Sequence, residues 1–290
     1  MVQDKTLGSR LFDIINYTLL TIVSLIVFLP FLHVVMGSFA TAEEIARKPF
    51  ILIPEHFSLN AYRYILSTNA IFRALGVSVG ITVVGTFISM FVTSMMAYGL
   101  TRRDLDGRKT INFLVVFTML FSGGLIPSFL VVMNLGMIDT YWSMIIPTAV
   151  SAFNLVIMRS FFANLPEGIE ESARIDGCSD FGTFFKIVLP LSTAVLATIS
   201  LFYAVQYWNS YQNAILYVND ANKWPLQVLL RQVVLVASGF SADTTHDFVQ
   251  PPEQTVKMAV IVVATVPILL VYPFLQKYFA KGALVGSVKG

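Results

Sequence analysis

The sequence is poor in charge and contains only one cysteine and three histidines. Charged residues make up 12% of its 290 residues, about half of the roughly 25% that is usual in soluble domains, and 56% are hydrophobic. Cys178 has no second cysteine with which to form an intramolecular disulfide, and a net charge of +2 is too small to indicate a nucleic-acid partner. This composition excludes a soluble globule, a disordered chain, a coiled coil and a disulfide scaffold. It predicts a polytopic membrane protein.

The chain also lacks the groups that would power transport or catalyse a reaction. Its long apolar runs contain no Asp, Glu, Lys or Arg, whereas ion-coupled carriers usually place such a group inside the bilayer. The nearest match to a phosphate-binding loop, Gly80–Gly85-Thr86, has no lysine. The histidines and Cys178 show no metal-ligand spacing. We therefore expect no catalytic residue, no metal and no cofactor in this chain, and a separate subunit as the source of energy for uphill transport.

Six charge-free runs are each long enough for one membrane-spanning helix. They cover residues 14–42, 74–101, 110–138, 140–158, 187–219 and 258–276. A helix needs about 20 apolar residues to cross roughly 30 Å of hydrocarbon, so each run is predicted to hold one span. The first run is too long for the apolar region of a secretory signal, and we expect it to be a retained helix.

The distribution of cations favours one orientation. With the N-terminus in the cytosol, 12 of the 19 Lys and Arg residues lie in cytosolic segments, and the short loop 102–109 alone holds four. The sequence thus predicts an all-α integral membrane protein with six transmembrane helices and both termini in the cytosol. Residues 1–70 are expected to form an N-terminal arm, the first helix and the first outer loop, residues 71–280 a transmembrane core, and residues 281–290 a cytosolic tail.

Two shorter helical patterns lie between the spans. Residues 225–236 are apolar enough to form a short helix on the outer surface. Residues 159–190 form the one cytosolic connection long enough to bind a partner. There, Pro166 suits the start of a helix, Gly177 suits its end, and Ser179 or Asp180 can cap a second short helix before Pro190 opens the fifth span.

This segment resembles the EAA loop of bacterial ATP-binding-cassette (ABC) importer permeases, whose pattern is E-A-A-x3-G-x9-I-x-L-P. The matching positions are Glu171, Ser172 in place of alanine, Ala173, Gly177, Ile187, Leu189 and Pro190. Trp208-Asn209 and the tail from Gln276 to Gly290 look like the carbohydrate-uptake branch, and in particular like permeases of the maltose-permease-G type and their polysaccharide and oligosaccharide relatives.

The resemblance implies a MetI-like arrangement of helices in a multi-pass protein of the bacterial cell (inner) membrane. It implies a permease subunit, not an enzyme, that imports an oligosaccharide or polysaccharide fragment. The implied partners are a homologous second permease subunit, two cytosolic ATP-binding subunits that bind the ATP, and an extracytoplasmic solute-binding protein. The implied ATPase-coupling residues are Glu171, Ser172, Ala173, Asp176, Gly177, Ile187, Leu189 and Pro190.

A set of polar and aromatic residues in the fifth span is a candidate for the translocation path. Tyr203, Gln206, Tyr207, Ser210 and Tyr211 recur at three- and four-residue steps, which places them on one face of a helix. Aromatic rings, amides and hydroxyls suit the binding of sugars, but an aromatic belt at the membrane interface would give the same pattern. Both interpretations remain open.

Other functions are compatible with parts of this pattern. Importers of peptides or amino acids share the EAA loop, so a permease for a non-sugar solute is one alternative. An ion-driven secondary carrier or a channel is a second, and its uptake would follow ion gradients and survive ATP depletion. An intramembrane enzyme is a third, but no nucleophile–base or metal set supports it.

Overall fold

The structure, a computed structural model, describes residues 6–67, 69–236 and 254–287, and the regular elements in these ranges are all helical. The prediction of an all-α protein is therefore confirmed. Three helices are long and apolar enough to cross a membrane by themselves, and the number within the described residues rises to six if each of three bent helix pairs is one span.

The chain folds as two compact units. The first comprises the described residues within 1–69 and 230–265, and the second those within 70–229 and 266–290. Helix α1 (Leu7–Gly37), helix α2 (Ala42–Arg47) and helix α3 (Asn60–Ser67) belong to the first unit. The side chains along α1 are apolar and largely exposed, as expected for a helix that faces lipid.

A buried carboxylate organises the loop between α2 and α3. Glu44 is only 5% exposed, and its two carboxylate oxygens accept the backbone N–H groups of Glu55 and His56 at 2.9 and 3.3 Å. Thr41 caps α2 by accepting the N–H of Glu44. A buried charge is tolerated only when its hydrogen-bonding capacity is met. The backbone N–H groups of this loop meet that condition and so explain the burial of Glu44.

Most helices lie in the second unit. They are α4 (Asn69–Thr101), α5 (Arg108–Leu120), α6 (Leu125–Asn134), α7 (Trp142–Ile145), α8 (Ala152–Ala163), α9 (Glu167–Ile175), α10 (Asp180–Thr183), α11 (Leu189–Leu191), α12 (Thr193–Trp208) and α13 (Gln212–Tyr217). Helix α14 (Leu226–Val236) and helix α15 (Gln254–Ser287) continue from one unit into the other. Helix α14 confirms the helix predicted at residues 225–236, although its first residue, Leu226, is buried and donates its N–H to Ser78 Oγ at 2.8 Å.

The third predicted span is not one straight helix. Helices α5 and α6 meet at an angle of 119°. Phe121 is extended, and Gly124 has φ 85° and ψ 175°, a backbone conformation that is essentially restricted to glycine. The run 110–138, predicted to hold one span, is therefore a broken helix, and absence of charge does not distinguish a straight helix from a broken one.

Two further bends interrupt the fourth and fifth spans. Helix α7 and the short 3₁₀ turn after it meet α8 at 51°, and residues 180–191 meet α12 at 85°. Pro190 lies inside α11, before the second bend, and the long helix opens at Thr193. Pro190 therefore does not begin the long helix α12, which starts three residues later.

The core of the second unit forms where α4, α8 and α12 pack together. Its largest fully buried side chains include Tyr203, Tyr207 and Met158. A Cβ atom at Gly85 of α4 would lie 2.8 Å from the ring of Tyr207, so the glycine permits the close approach of α4 and α12.

Candidate functional site

The EAA-like segment, residues 159–190, contains a short helix with defined ends. Helix α9 begins directly after Pro166, whose carbonyl accepts the N–H of Ile169 at 3.1 Å. At the other end, Gly177 has φ +78°, and the N–H of Cys178 donates to the carbonyl of Ala173 at 2.9 Å. This six-to-one bond with a left-handed glycine is a Schellman cap, and it confirms the predicted stop at Gly177.

The residues of the E-A-A triplet have different environments on α9. Ala173 is only 3% exposed, which explains why a small residue stands there. Ser172 is exposed, and its hydroxyl donates to the carbonyl of Gly168 at 2.7 Å. Glu171 lies within the helix, and its side chain is outside the described part of the chain. Asp176 is exposed in the turn before Gly177.

A large apolar side chain of α9 is exposed to solvent. Ile175 is 86% exposed, and Phe181, in the following helix, is 65% exposed. An isolated exposed side chain needs no explanation, but two large ones on a short polar element favour a protein-binding surface.

The second half of the segment begins with the predicted cap. Ser179 Oγ accepts the N–H of Gly182 at 3.2 Å, so Ser179, rather than Asp180, caps α10. The backbone then forms a π-helical turn over Phe184–Val188, with both end residues buried. Of the predicted coupling residues that follow, Ile187 and Leu189 are half-buried and Pro190 is exposed.

Contacts with the end of α4 hold this half of the segment in place. The Arg102 guanidinium forms an ion pair with Asp180 and lies over the ring of Tyr98, 4.8 Å from its centroid. The rings of Tyr98 and Phe184 are 5.2 Å apart. The EAA-like segment is therefore joined to a membrane-length helix by one ionic and one aromatic contact.

Two of the five residues predicted for the translocation path are buried in the core. The hydroxyl of Tyr203 shares a hydrogen bond with Thr93 Oγ1 at 2.8 Å and accepts the N–H of Ser151 at 3.0 Å. The hydroxyl of Tyr207 is 2.8 Å from Ser89 Oγ and donates to the carbonyl of Ile145 at 3.1 Å. Both hydroxyls are thus committed to partners within the second unit.

The other three residues, together with the buried Tyr207, line a small cavity of about 140 Å³ at the end of α12. Gln206 lies on the helix, whereas Ser210 and Tyr211 follow its last residue, Trp208. The sequence predicted that the five residues share one face of a helix. In the structure they do not, because two of them lie beyond the end of α12. The polar side chains of Asn209, Gln212 and Asn213 also contribute to its lining.

A larger cavity, of about 870 Å³, lies beside residues 73–84 of α4, and sequence reasoning did not identify it. Asp139, at its edge, has φ 60° and accepts the N–H groups of Asn219 and Asp220 at 3.1 and 3.0 Å. Lys223 donates to the Asp139 carboxylate at 2.8 Å. This contact holds the pKa of Asp139 below its usual range and raises the pKa of Lys223. The sequence signal was Asp139 itself, the single charge between two long apolar runs.

Residues 105–285 match the protein family described as binding-protein-dependent transport system inner membrane component. This match covers more than half of the chain, including the whole EAA-like segment.

Individual relatives extend the likeness to nearly the full chain. It is 64% identical to the polygalacturonan/rhamnogalacturonan transport system permease protein YtcP of Bacillus subtilis, over 97% of this chain and 99% of the relative. It is 53% identical to protein LplC of the same organism, over 99% of this chain and 97% of the relative. Among solved structures, a chain of a bacterial ABC transporter involved in the import of the acidic polysaccharide alginate is similar, with a TM-score of 0.87 and 30% identity, over 96% of this chain and 100% of that chain.

Proposed function

The chain belongs to the family of binding-protein-dependent transport system inner membrane components, and we propose that it forms one permease half of an ABC importer for acidic oligosaccharides. Membership makes it a membrane permease and not an enzyme. Carbohydrate import is its function, because its relatives are permeases of oligosaccharide and polysaccharide transport systems. Beyond family membership, we propose that the sugar is acidic and that individual residues have specific roles in coupling and transport.

The proposal of an acidic substrate rests on two relatives. Polygalacturonan is a polymer of a sugar acid, and the solved transporter imports a polysaccharide that is named as acidic. A permease that is 64% identical to the first along almost its whole length is well suited to a fragment of the same chemical class. The same two relatives favour a sugar over a peptide or an amino acid as the substrate, because both belong to polysaccharide transport systems.

Two kinds of partner follow from the family, and a third is proposed. A binding-protein-dependent ABC importer works with ATP-hydrolysing subunits and with a solute-binding protein, and both are partners of this chain. We propose in addition that a homologous second permease subunit completes the translocation path as a heterodimer. The ATPase subunits would bind the ATP, and this chain would bind no cofactor.

We also propose how the helices cross the membrane. Counting each bent pair as one span gives six, in agreement with the six charge-free runs. The cations of loop 102–109 and of the EAA-like segment would then lie in the cytosol, as would both termini.

The observation that carries the coupling role is the capped, anchored geometry of the EAA-like segment. Helix α9 ends at the glycine turn of Gly177, and Ile175 projects into solvent there. We propose that α9 binds in a cleft of an ATPase subunit, with Ile175 and Phe181 in apolar contact and Glu171 opposite a basic residue. Movement of the ATPase would reach the membrane through Asp180 and Arg102 at the end of α4.

For the translocation path, we propose the three predicted cavity-lining residues that are not buried, since the fourth, Tyr207, has its hydroxyl bonded within the core. Gln206, Ser210 and Tyr211 supply an amide, a hydroxyl and an aromatic ring there, which suits hydrogen bonding and stacking with a sugar. Tyr203 would support this site from the core, and Tyr207 would form part of its wall with its hydroxyl directed to Ser89 and Ile145.

Uptake by the complete transporter, reconstituted in liposomes with its solute-binding protein, tests the function. We expect ATP-dependent uptake of oligogalacturonates and at least tenfold less uptake of neutral oligosaccharides of the same length. Replacement of Glu171 by lysine should abolish uptake and the stimulation of ATP hydrolysis, because it reverses the charge at the proposed interface.

The matched control is Glu43→Lys, which reverses an exposed acid in α2 and should leave uptake intact. Undiminished uptake by Glu171→Lys would contradict the coupling role. Uptake that survives ATP depletion and follows an ion gradient would instead favour a secondary carrier, and equal transport of neutral and acidic sugars would remove the acidic preference alone.

A further inference from the structure

The 870 Å³ cavity beside α4 has an apolar floor along one stripe of the helix. The floor is formed by Gly76, Gly80 and Val84, which follow each other at four-residue steps and are all exposed. A Cβ atom at either glycine would meet nothing within 4 Å. The helix surface is therefore open along this stripe, and an apolar chain can approach the backbone closely there.

Helix α4 contributes one cation to the lining of the cavity. Arg73 lies one turn before Gly76, is exposed, and has no hydrogen-bond or ion-pair partner among the residues that the structure describes. Lys223 also lines the cavity but is paired with Asp139 at 2.8 Å and with Asp220 at 3.8 Å, so Arg73 is the lining cation that is left for an anionic group. Trp142, 51% exposed, adds an amphipathic ring of the kind enriched at membrane interfaces.

The depth of the cavity matches one leaflet of a bilayer. Val84 is eleven residue steps after Arg73, which is about 16 Å along the helix at 1.5 Å per residue. Half of a hydrocarbon core of roughly 30 Å is about 15 Å. With the Arg73 end at the interface, the apolar floor therefore extends to about the middle of the bilayer.

From these features we infer that the cavity binds an anionic phospholipid, with its phosphate at Arg73 and an acyl chain along Gly76, Gly80 and Val84. A mostly apolar floor is unsuited to a hydroxyl-rich sugar, which would leave its polar groups without partners. A helix of another subunit would cover the glycines but would not by itself neutralise Arg73. An anionic phospholipid does both, because its phosphate neutralises Arg73 and its acyl chain covers the glycines.

Native mass spectrometry of the complete transporter, extracted from membranes containing equal amounts of phosphatidylglycerol and phosphatidylcholine, tests this inference. The wild type should retain phosphatidylglycerol preferentially, by about fivefold for one basic side chain near the headgroup. Arg73→Gln should remove that preference and Arg73→Lys should keep it. The control Arg63→Gln, at an exposed arginine in α3, should leave it unchanged.

A second variant tests the floor independently of charge. Gly80→Leu should reduce the retention of both lipids, whereas Gly8→Leu, at an exposed helical glycine that is equally open, should not. Equal retention of the two lipids by the wild type, or a preference that persists in Arg73→Gln, would overturn the inference. So would displacement of phosphatidylglycerol by oligogalacturonate, or cross-linking of Gly80→Cys to the second permease in a Cys178→Ser background.

Discussion

Single atoms determine how closely the central helices of the second unit approach each other. The ring of Tyr207 lies against the backbone of Gly85, where a Cβ atom would be 2.8 Å away. The ring cannot move aside easily, because its hydroxyl is held by Ser89 and by the carbonyl of Ile145. Position 85 therefore requires glycine, because even the methyl group of alanine would clash with the Tyr207 ring.

We expect Gly85→Ala to destabilise the protein by about 1 kcal/mol. Overpacking a tight core costs about 1–3 kcal/mol, and the better helix propensity of alanine returns up to about 1 kcal/mol. The control is Gly99→Ala in the same helix, where a Cβ atom meets nothing within 4 Å and the thermal midpoint should not fall. If both variants show the same thermal midpoint in detergent, the close approach at Gly85 does not contribute to the stability of the protein.

The ion pair of Asp139 and Lys223 leads to a prediction about pH. A lowered pKa of Asp139 in the folded protein means that its contribution to stability is present above the unfolded value of about 3.9 and is lost as the pH falls through the lower folded value. The raised pKa of Lys223 means that its contribution is present below about 10.4 and is lost above its folded value. Between these limits the contribution is constant.

Asp139→Asn should therefore lower the thermal midpoint by the same amount from pH 5 to pH 9, and the difference from the wild type should shrink below about pH 4. Asparagine tolerates the left-handed backbone of this position and its amide oxygen can still accept the N–H groups of Asn219 and Asp220, so the variant removes the charge and the hydrogen bond from Lys223. Asp106→Asn, at an exposed residue, should change the midpoint little. A difference that stays constant down to pH 3 would contradict the assignment to the ion pair.

At the scale of elements, the EAA-like segment is fixed to α4 through α10. The ion pair of Arg102 and Asp180 is largely exposed on the Asp180 side, so its contribution to stability should not exceed about 1 kcal/mol. Its proposed importance is mechanical, since it lies between the proposed ATPase-binding helix and a membrane-length helix.

We expect Asp180→Lys to reduce ATP-dependent uptake severalfold while the thermal midpoint changes by only a few degrees. The double variant Arg102→Glu/Asp180→Lys restores opposite charges and should recover part of the uptake. Asp106→Lys, the same substitution in the 102–109 loop, is the control. Loss of stability in proportion to loss of uptake would show that the pair acts only in folding.

The elements that the sequence predicted correctly are those with local signals. Pro166, Gly177 and Ser179 act on backbone groups within a few residues of themselves, so their effect can be derived from spacing alone. The bend at Gly124 was missed because it needs the sign of φ, and an apolar run gives no information about it.

At the scale of the whole molecule, the all-helical class followed from composition, whereas the inward orientation of Tyr203 and Tyr207 did not. Their hydroxyl partners, Thr93 and Ser89, are 110 and 118 residues away in the chain. A polar stripe on α12 is the same in sequence whether it faces a path or another helix. Only the packing of α4 against α12 decides between these two environments.

The two tyrosines also constrain how the transporter can work. Through them, α12 is hydrogen-bonded to α4 and to the two ends of the break at residues 145–151. Sliding of these helices past one another would break these four hydrogen bonds inside the packed core. Alternation between inward and outward access should therefore displace α4, α8 and α12 together as a rigid block, with the deformation confined to joints such as Gly124 and Ser192.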